Sequence, residues 1–230
     1  RMRQIEKVAA KLDKFIVLTK SDKKDWEPFV PNVTSIYNPL TFKSEEVAAL
    51  DNEKCIAIGR LESQKNFRDL VAAWKYVAEE YPDWVLEIYG NGSLKESLQK
   101  QITSLGLDLQ VRLMGSSSDI RSKMLDSSCL VMSSAYEGFP MVLLEAVETG
   151  LPMVSYDCPK GRAEIIIDGK SGYLVKPGDV KGLARRVCDV ISDAGRRKEF
   201  GAMAKKTAAQ YSIDRIMEQW KTLFEGLMAK

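Results

Sequence analysis

The chain has 230 residues, 45% of them hydrophobic and 29% charged, with a net charge of +2 and no histidine. Near-neutrality argues against a dedicated nucleic-acid binder, and the missing histidine removes the commonest general base and the imidazole metal ligands. Cys55, Cys129, Cys158 and Cys188 lack C-x-x-C spacing and read as reduced core thiols, and no apolar run approaches the ~20 residues of a membrane helix, so the sequence predicts a soluble, cytoplasmic protein.

Taken in order, residues 1–13 carry Ile5, Val8 and Leu12 at helical spacing, and 15–19 is a strand. Ser21 or Asp22 is placed to cap a short helix that Pro28 ends, 33–37 is a second strand, and 41–52 reads as a linker. The chain starts at Arg1 inside a helical pattern, so the expectation is that 1–52 is the end of an N-terminal domain plus linker, a piece of something longer.

From Lys54 strands and helices alternate. Strands are expected at 55–58, 84–89, 111–114, 129–133, 152–156 and 172–175. The helices between them are expected at 67–81, at 93–105 behind a Ser93/Glu96 capping box, at 119–127, at 140–150 and at 163–167, and another starts at Asp179. Repeated strand–helix–strand units make an α/β domain over 53–212, a Rossmann-like parallel sheet with helices on both faces. Ligands of such sheets bind beyond the C-terminal strand ends. The basic set Arg185, Arg186, Arg196, Arg197, Lys198, Lys205 and Lys206 reads first as a solvated helix face, with peripheral contact to an anionic membrane surface as the second reading. The last helix, 213–230, repeats Ile216, Met217, Trp220, Leu223, Phe224 and Leu227 and is expected to pack back on the N-terminal section.

Three strand-end loops carry chemistry. Gly59-Arg-Leu-Glu-Ser-Gln-Lys-Asn66 holds a forked cation, Arg60, and a compact one, Lys65, which suits a pyrophosphate, although a polar turn has the same composition. In Glu137-Gly-Phe-Pro-Met-Val-Leu-Leu-Glu145, Pro140 is expected to start a helix that Gly150 stops, with the N–H groups of Met141, Val142 and Leu143 free to face phosphate. Glu137 and Glu145 frame that turn. A glycosidase-like reading of this pair is open, but their surroundings suit phosphate. Cys158-Pro-Lys-Gly-Arg162 is a third turn, with Lys160 and Arg162 expected near the site. Tyr89-Gly-Asn-Gly-Ser93 lacks the third glycine of the dinucleotide fingerprint, because Lys95 occupies it, which disfavours a nicotinamide dehydrogenase.

Gly-Arg-Leu with Gln-Lys-Asn, the Glu-Gly-Phe-Pro turn with its second glutamate eight residues on, and Asp-Gly-Lys-Ser-Gly-Tyr-Leu-Val resemble the family 4 retaining glycosyltransferases of the GT-B fold, over about 53–190. The resemblance implies the donor-binding, C-terminal half of a GT-B enzyme. Arg60 and Lys65 then hold the diphosphate leaving group, Glu145 the ribose hydroxyls, and Glu137 the transferred sugar. The resemblance further implies that Gly59, Gly138 and the backbone of Phe139, Pro140, Met141 and Val142 line the donor, and that the base lies near Met114, Gly115 and Ser116. The donor implied is a UDP-hexose, and Lys-Gly-Arg standing where Ser-Gly-Pro is common leaves its sugar open. No cofactor and no metal is expected, there being no Asp-x-Asp. The acceptor, a glycan or lipid-linked molecule, falls to an N-terminal domain outside this chain, so the fragment is expected to bind donor without transferring it. Alternatives are a non-catalytic nucleotide-sugar module and a GT-B phosphorylase or sugar-phosphate synthase.

Overall fold

A computed structural model of the chain describes residues 2–229, with side chains from residue 5 onward. The N-terminal section comprises α1 (Met2–Ala9), β1 (Phe15–Val17), α2 (Lys20–Trp26) and β2 (Val33–Ser35), with β1 and β2 paired in parallel. The 1–13 helix is shorter than its spacing predicts, and Ile5, Val8 and Leu12 stay about half exposed while Ala9 is buried. The cap of α2 is Thr19, whose hydroxyl accepts from the Asp22 amide at 2.8 Å, so the helix begins earlier than Ser21 or Asp22 predicts. Thr19 closes the apolar run 15–19 in the sequence but lies two residues beyond β1 and caps α2, which hides it from a reading by runs.

The main sheet consists of β3 (Lys54–Ile58), β4 (Val85–Tyr89), β5 (Val111–Gly115), β6 (Cys129–Met132), β7 (Met153–Tyr156) and β8 (Gly172–Val175). All are parallel, in the order β5-β4-β3-β6-β7-β8. Alternate residues enter opposite cores, as a pleated strand requires. Cys55, Ala57, Cys129 and Val131 meet α3 (Phe67–Glu80), α4 (Lys95–Ser104) and α8 (Val180–Ile191) on one face. Ile56, Leu130 and Met132 meet α6 (Met141–Glu148) and α9 (Ala194–Ala208) on the other. Two short helices, α5 (Ile120–Leu125) and α7 (Arg162–Ile165), complete the alternation. Cys55, Cys129 and Cys158 are buried and Cys188 is half-buried, all four as free thiols.

The expected linker 41–52 is strapped to the domain. The Ser44 amide donates to Glu148 Oε1 at 2.6 Å, Lys205 Nζ donates to the same oxygen at 2.8 Å, and the Ala48 amide reaches the Thr149 carbonyl at 2.9 Å. Lys205 and Arg197, two of the seven cations of the basic set, are therefore internal fasteners. Arg197 is 8% exposed, donates to the Ile191 and Leu50 carbonyls, and lies over the Trp84 ring.

Helix α10 (Ile213–Met228) buries Ile216, while Met217 and Phe224 remain more than half exposed. A groove of about 750 Å³ separates α10 from residues 34–37 of the N-terminal section. No helix among the described residues is long and apolar enough to cross a membrane.

Candidate functional site

Strand order reverses between β3 and β6, so the loops leaving these adjacent strands diverge to opposite faces and open a crevice at their C-terminal ends. The sequence places Gly59–Asn66 after β3 and Ser133–Pro140 after β6, and the topology therefore brings the first two candidate motifs together.

The β3 loop is built rigidly. Leu61 is fully buried and its amide bonds the Asn91 carbonyl at 2.9 Å, while Ser63–Lys65 form a 3-10 turn closed by Asn66 in a left-handed conformation (φ 47°). The β6 side pins this turn, with Ser133 Oγ donating to the Lys65 carbonyl at 2.9 Å and the Ala135 amide to the Gln64 carbonyl at 2.8 Å. The Lys65 side chain is led back across Gly59, where a Cβ would lie 2.8 Å from its Cε. It ends 2.6 Å from Glu137 Oε1, and Gln64 Nε2 stands 3.5 Å from Oε2 of the same carboxylate. Side-chain exposures of 17% for Lys65 and 9% for Glu137 make this a well-shielded pair.

Arg60 is exposed and makes no ion pair within 4.0 Å among the described residues. It lines a cleft of about 360 Å³ with Gly59, Tyr89, Gly90, Asn91, Ser116 and others. The cleft floor depends on Gly90, where a Cβ would fall 1.9 Å from the Gly59 carbonyl oxygen. Ser116 accepts from Asn91 Nδ2 at 2.9 Å, and Gly115 ends β5 beside it, its carbonyl accepting from the Gly90 amide. Met114 is 44% exposed and does not line the cleft.

After β6 the turn Gly138–Pro140 leads into α6. Pro140 is the N-cap and Met141 the first helical residue, one position later than expected. The Leu143 amide bonds the Pro140 carbonyl at 3.0 Å, which removes it from the expected free set and leaves Met141 and Val142. A tight first turn satisfies one of the orphan donors internally. Phe139 is 7% exposed and stacks on Tyr37 at 5.5 Å, so its ring anchors the turn and only its backbone is available to a ligand. Glu145, one turn into α6, is half-buried and accepts from the Thr41 hydroxyl at 3.3 Å. Burial pushes its carboxyl above the usual range, and the Thr41 bond opposes that shift. Among the described residues no hydrogen bond or ion pair joins Glu145 to Arg60, Lys65 or Glu137, so the structure gathers the Lys65–Glu137 pair and leaves Arg60 and Glu145 on separate walls.

The third turn departs from expectation. Lys160 points away from the crevice and pairs with Asp22 and with Asp25, at 3.0 Å from the latter, on α2. Arg162 is 1% exposed and donates from Nη1 to the Cys158 carbonyl at 2.8 Å. Nearby, Glu164 receives the Lys20 and Ser21 amides at 3.1 Å each and the Tyr37 hydroxyl at 2.6 Å, which fastens the start of α2 to the domain. The Ser93/Glu96 capping box is not formed, because the Ser93 amide and hydroxyl both donate to Glu62 at 2.8 Å. A charged acceptor on the neighbouring loop outcompetes the local box. Two other cavities, of about 480 Å³ beside Leu40–Lys43 and about 750 Å³ beside α10, involve none of the strand-end loops.

A doubly covered parallel sheet with its switch point between β3 and β6, and with the Lys65–Glu137 pair, Arg60 and the start of α6 on the loops around it, defines a Rossmann-like domain with a candidate ligand site at that edge. The family model "Glycosyl transferases group 1" matches residues 41–207, and the chain belongs to that family. Among relatives, the amylovoran biosynthesis glycosyltransferase AmsD of Erwinia amylovora is 32% identical over 220 residues, covering 92% of this chain and 62% of that protein. Among solved structures, a point mutant of S. aureus TarM in complex with Fondaparinux, alpha-GlcNAc-glycerol and UDP aligns with TM-score 0.89 at 26% identity, covering 97% of this chain and 46% of TarM. The pneumococcal O-GlcNAc transferase GtfA in complex with UDP and GlcNAc aligns with TM-score 0.84 at 25% identity, covering 99% of this chain and 47% of GtfA. The chain thus spans 60% of one curated relative and 24% of another, and under half of these two solved structures.

Proposed function

We propose that this chain is the donor-binding part of a retaining, family 4-like hexosyltransferase that takes a UDP-hexose and passes the sugar to a glycan or lipid-linked acceptor. The observation that carries the reading is the junction of the β3 and β6 loops at the switch point, where Lys65 meets Glu137 shortly before α6, while Arg60, without an ion pair among the described residues, lines the neighbouring cleft between the β3, β4 and β5 loops. The UDP bound in the TarM and GtfA complexes supports uridine as the base.

Breaking a glycosyl phosphate bond develops negative charge on the departing diphosphate. In this reading Arg60, Lys65 and the Met141 and Val142 amides are fixed where that charge appears, and no metal ion is called for. Glu145 accepts the ribose hydroxyls in place of Thr41, and Glu137 accepts hydroxyls of the transferred sugar. Gly138 lets the backbone of the turn approach the donor. Acceptor contacts fall, in this proposal, to a preceding domain that this chain does not contain, and the enzyme works on the cytoplasmic side.

The test is transfer from a panel of UDP-sugars by the full-length protein, with the anomeric configuration of the product read by NMR. An α-linked product from an α-linked donor is expected. Inversion refutes the retaining assignment, and donor consumption only in the presence of free phosphate moves the protein to a phosphorylase.

A further inference from the structure

Arg162 is among the largest fully buried side chains of the domain, and of its three guanidinium nitrogens only Nη1 has a partner among the described residues. Nε and Nη2 are buried without an acceptor. An arginine stays protonated even where burial pulls its pKa down, as it does here, so this is a shielded cation with two idle donors. Such an arrangement is costly unless an acceptor arrives in another state of the protein.

Its surroundings identify the acceptor. Gly161, the preceding residue, lies against the turn after Glu137: a Cβ there would stand 3.1 Å from Pro140 Cδ, 3.3 Å from Phe139 Cδ2 and 3.5 Å from the Gly138 carbonyl oxygen. Burial lowers the Arg162 pKa, and its neighbours Cys158, Glu137 and Asp157 oppose that shift. Burial pushes the Cys158 thiol up, so it stays neutral near pH 7, and Asp157 is exposed. Of the three, Glu137 is the shielded carboxylate.

Glu137 already has a partner in Lys65, at 2.6 Å. The proposed function, however, assigns Lys65 to the donor diphosphate. If Lys65 turns to the diphosphate, Glu137 keeps only Gln64 from the β3 loop, at 3.5 Å, and becomes a nearly dry carboxylate. It then either takes up a proton or finds a second cation.

We propose that Arg162 is a positioning residue that supplies the counter-charge of Glu137 when the donor diphosphate draws Lys65 away, keeping Glu137 ionised as an acceptor for the donor sugar's hydroxyls. The inference rests on the donor reading of this site. Lys65 changes partner, and the two idle donors of Arg162 become the reserve that makes the exchange possible without a proton. Lys65 from the β3 loop, Cys158 from the loop before α7 and Arg162 at the start of α7 are the charged or titratable groups that bear on Glu137, with the Gln64 amide as a neutral donor.

The experiment titrates UDP into wild type, R162Q, E137Q and the double variant at pH 7, by calorimetry in buffers of different ionisation enthalpy. Gln at 162 removes the charge and keeps a donor for the Cys158 carbonyl. R162Q is expected to bind UDP about ten- to hundredfold more weakly than wild type and to take up a larger fraction of a proton per UDP bound. E137Q and E137Q/R162Q are expected to bind alike, with no such excess. The phosphate of UDP and Glu145 titrate in all four proteins and cancel in the differences. A folded R162Q that matches wild type in both affinity and proton count overturns the proposal. Should R162Q alone fail to fold, unequal UDP affinities of E137Q and E137Q/R162Q overturn it and equal ones support it. Wild type that does not bind UDP at all refutes the donor reading instead.

Discussion

Replacing Arg60 and replacing Lys65 should have different signatures in stability and the same signature in binding. Arg60 is exposed and has no ion pair among the described residues, so Arg60→Ala should change stability by no more than about 0.5 kcal/mol. A charge-assisted contact to a diphosphate is worth about 1.5–3 kcal/mol. UDP affinity should therefore drop by roughly ten- to 150-fold. Lys65→Ala removes the same kind of ligand contact but also abandons Glu137, whose side chain is 9% exposed. Breaking one side of a buried pair costs about 3–5 kcal/mol, and the unpartnered donors of Arg162, available as a second counter-charge, bring the expectation down to about 2–3 kcal/mol. For a chain of this size that is a fall in Tm of about 4–12 °C. Titration calorimetry with UDP and scanning calorimetry read the two quantities separately. An unchanged UDP affinity in Arg60→Ala, or an unchanged Tm in Lys65→Ala, refutes the reasoning.

Glu145 sets a pH dependence. Its carboxyl is raised by burial, so its folded-state pKa lies above the unfolded one, and its contribution to stability is present at low pH and lost as pH rises through the folded pKa. Glu145→Gln should therefore be more stable than wild type at neutral pH, by a margin that closes on acidification, which thermal melts across pH will check. For the same reason UDP affinity, which needs the carboxylate, should start to fall on acidification at a higher pH than the ordinary glutamate value of about 4.3. Gly138→Ala meets nothing within 4 Å and should keep its Tm while weakening UDP-sugar binding, whereas a Cβ at Gly90 would fall 1.9 Å from the Gly59 carbonyl oxygen, so Gly90→Ala should fold poorly. Parallel melts and titrations of the two variants distinguish a ligand-approach glycine from a packing glycine. Glu148→Ala strips Lys205 and the Ser44 amide of one acceptor and should lower stability by about 3 kcal/mol, read by denaturant unfolding, without touching the strand-end loops.

What was legible in the sequence and what was not divide along a physical line. The strands of the sheet stood out because a doubly covered parallel sheet needs apolar runs, and Cys129–Met132 buries every residue. The switch-point loops stood out because phosphate chemistry needs particular residue types close in sequence, as Arg60 and Lys65 are. Long-range polar contacts leave no such local trace. Ser93 satisfies a capping-box pattern with Glu96 yet gives both its donors to Glu62, 31 residues earlier. Lys160 and Arg162 look alike in a basic turn, but one is spent on Asp22 and Asp25 and the other lies buried under the Glu137 turn. Lys205 reads as part of a surface stripe and in fact ties segment 41–52 to α6. An arginine standing in a Pro-Lys-Gly-Arg turn was the one available hint of Arg162, and composition alone could not say that it was interior.

The central claim, that one ligand spans the Arg60 wall and the Glu145 wall, is tested most directly by comparing uridine and UDP binding in Arg60→Ala and Glu145→Ala. The account predicts that Arg60→Ala weakens UDP and leaves uridine unchanged, while Glu145→Ala weakens both. Equal losses for the two ligands in Arg60→Ala, or unaltered uridine binding in Glu145→Ala, would contradict it.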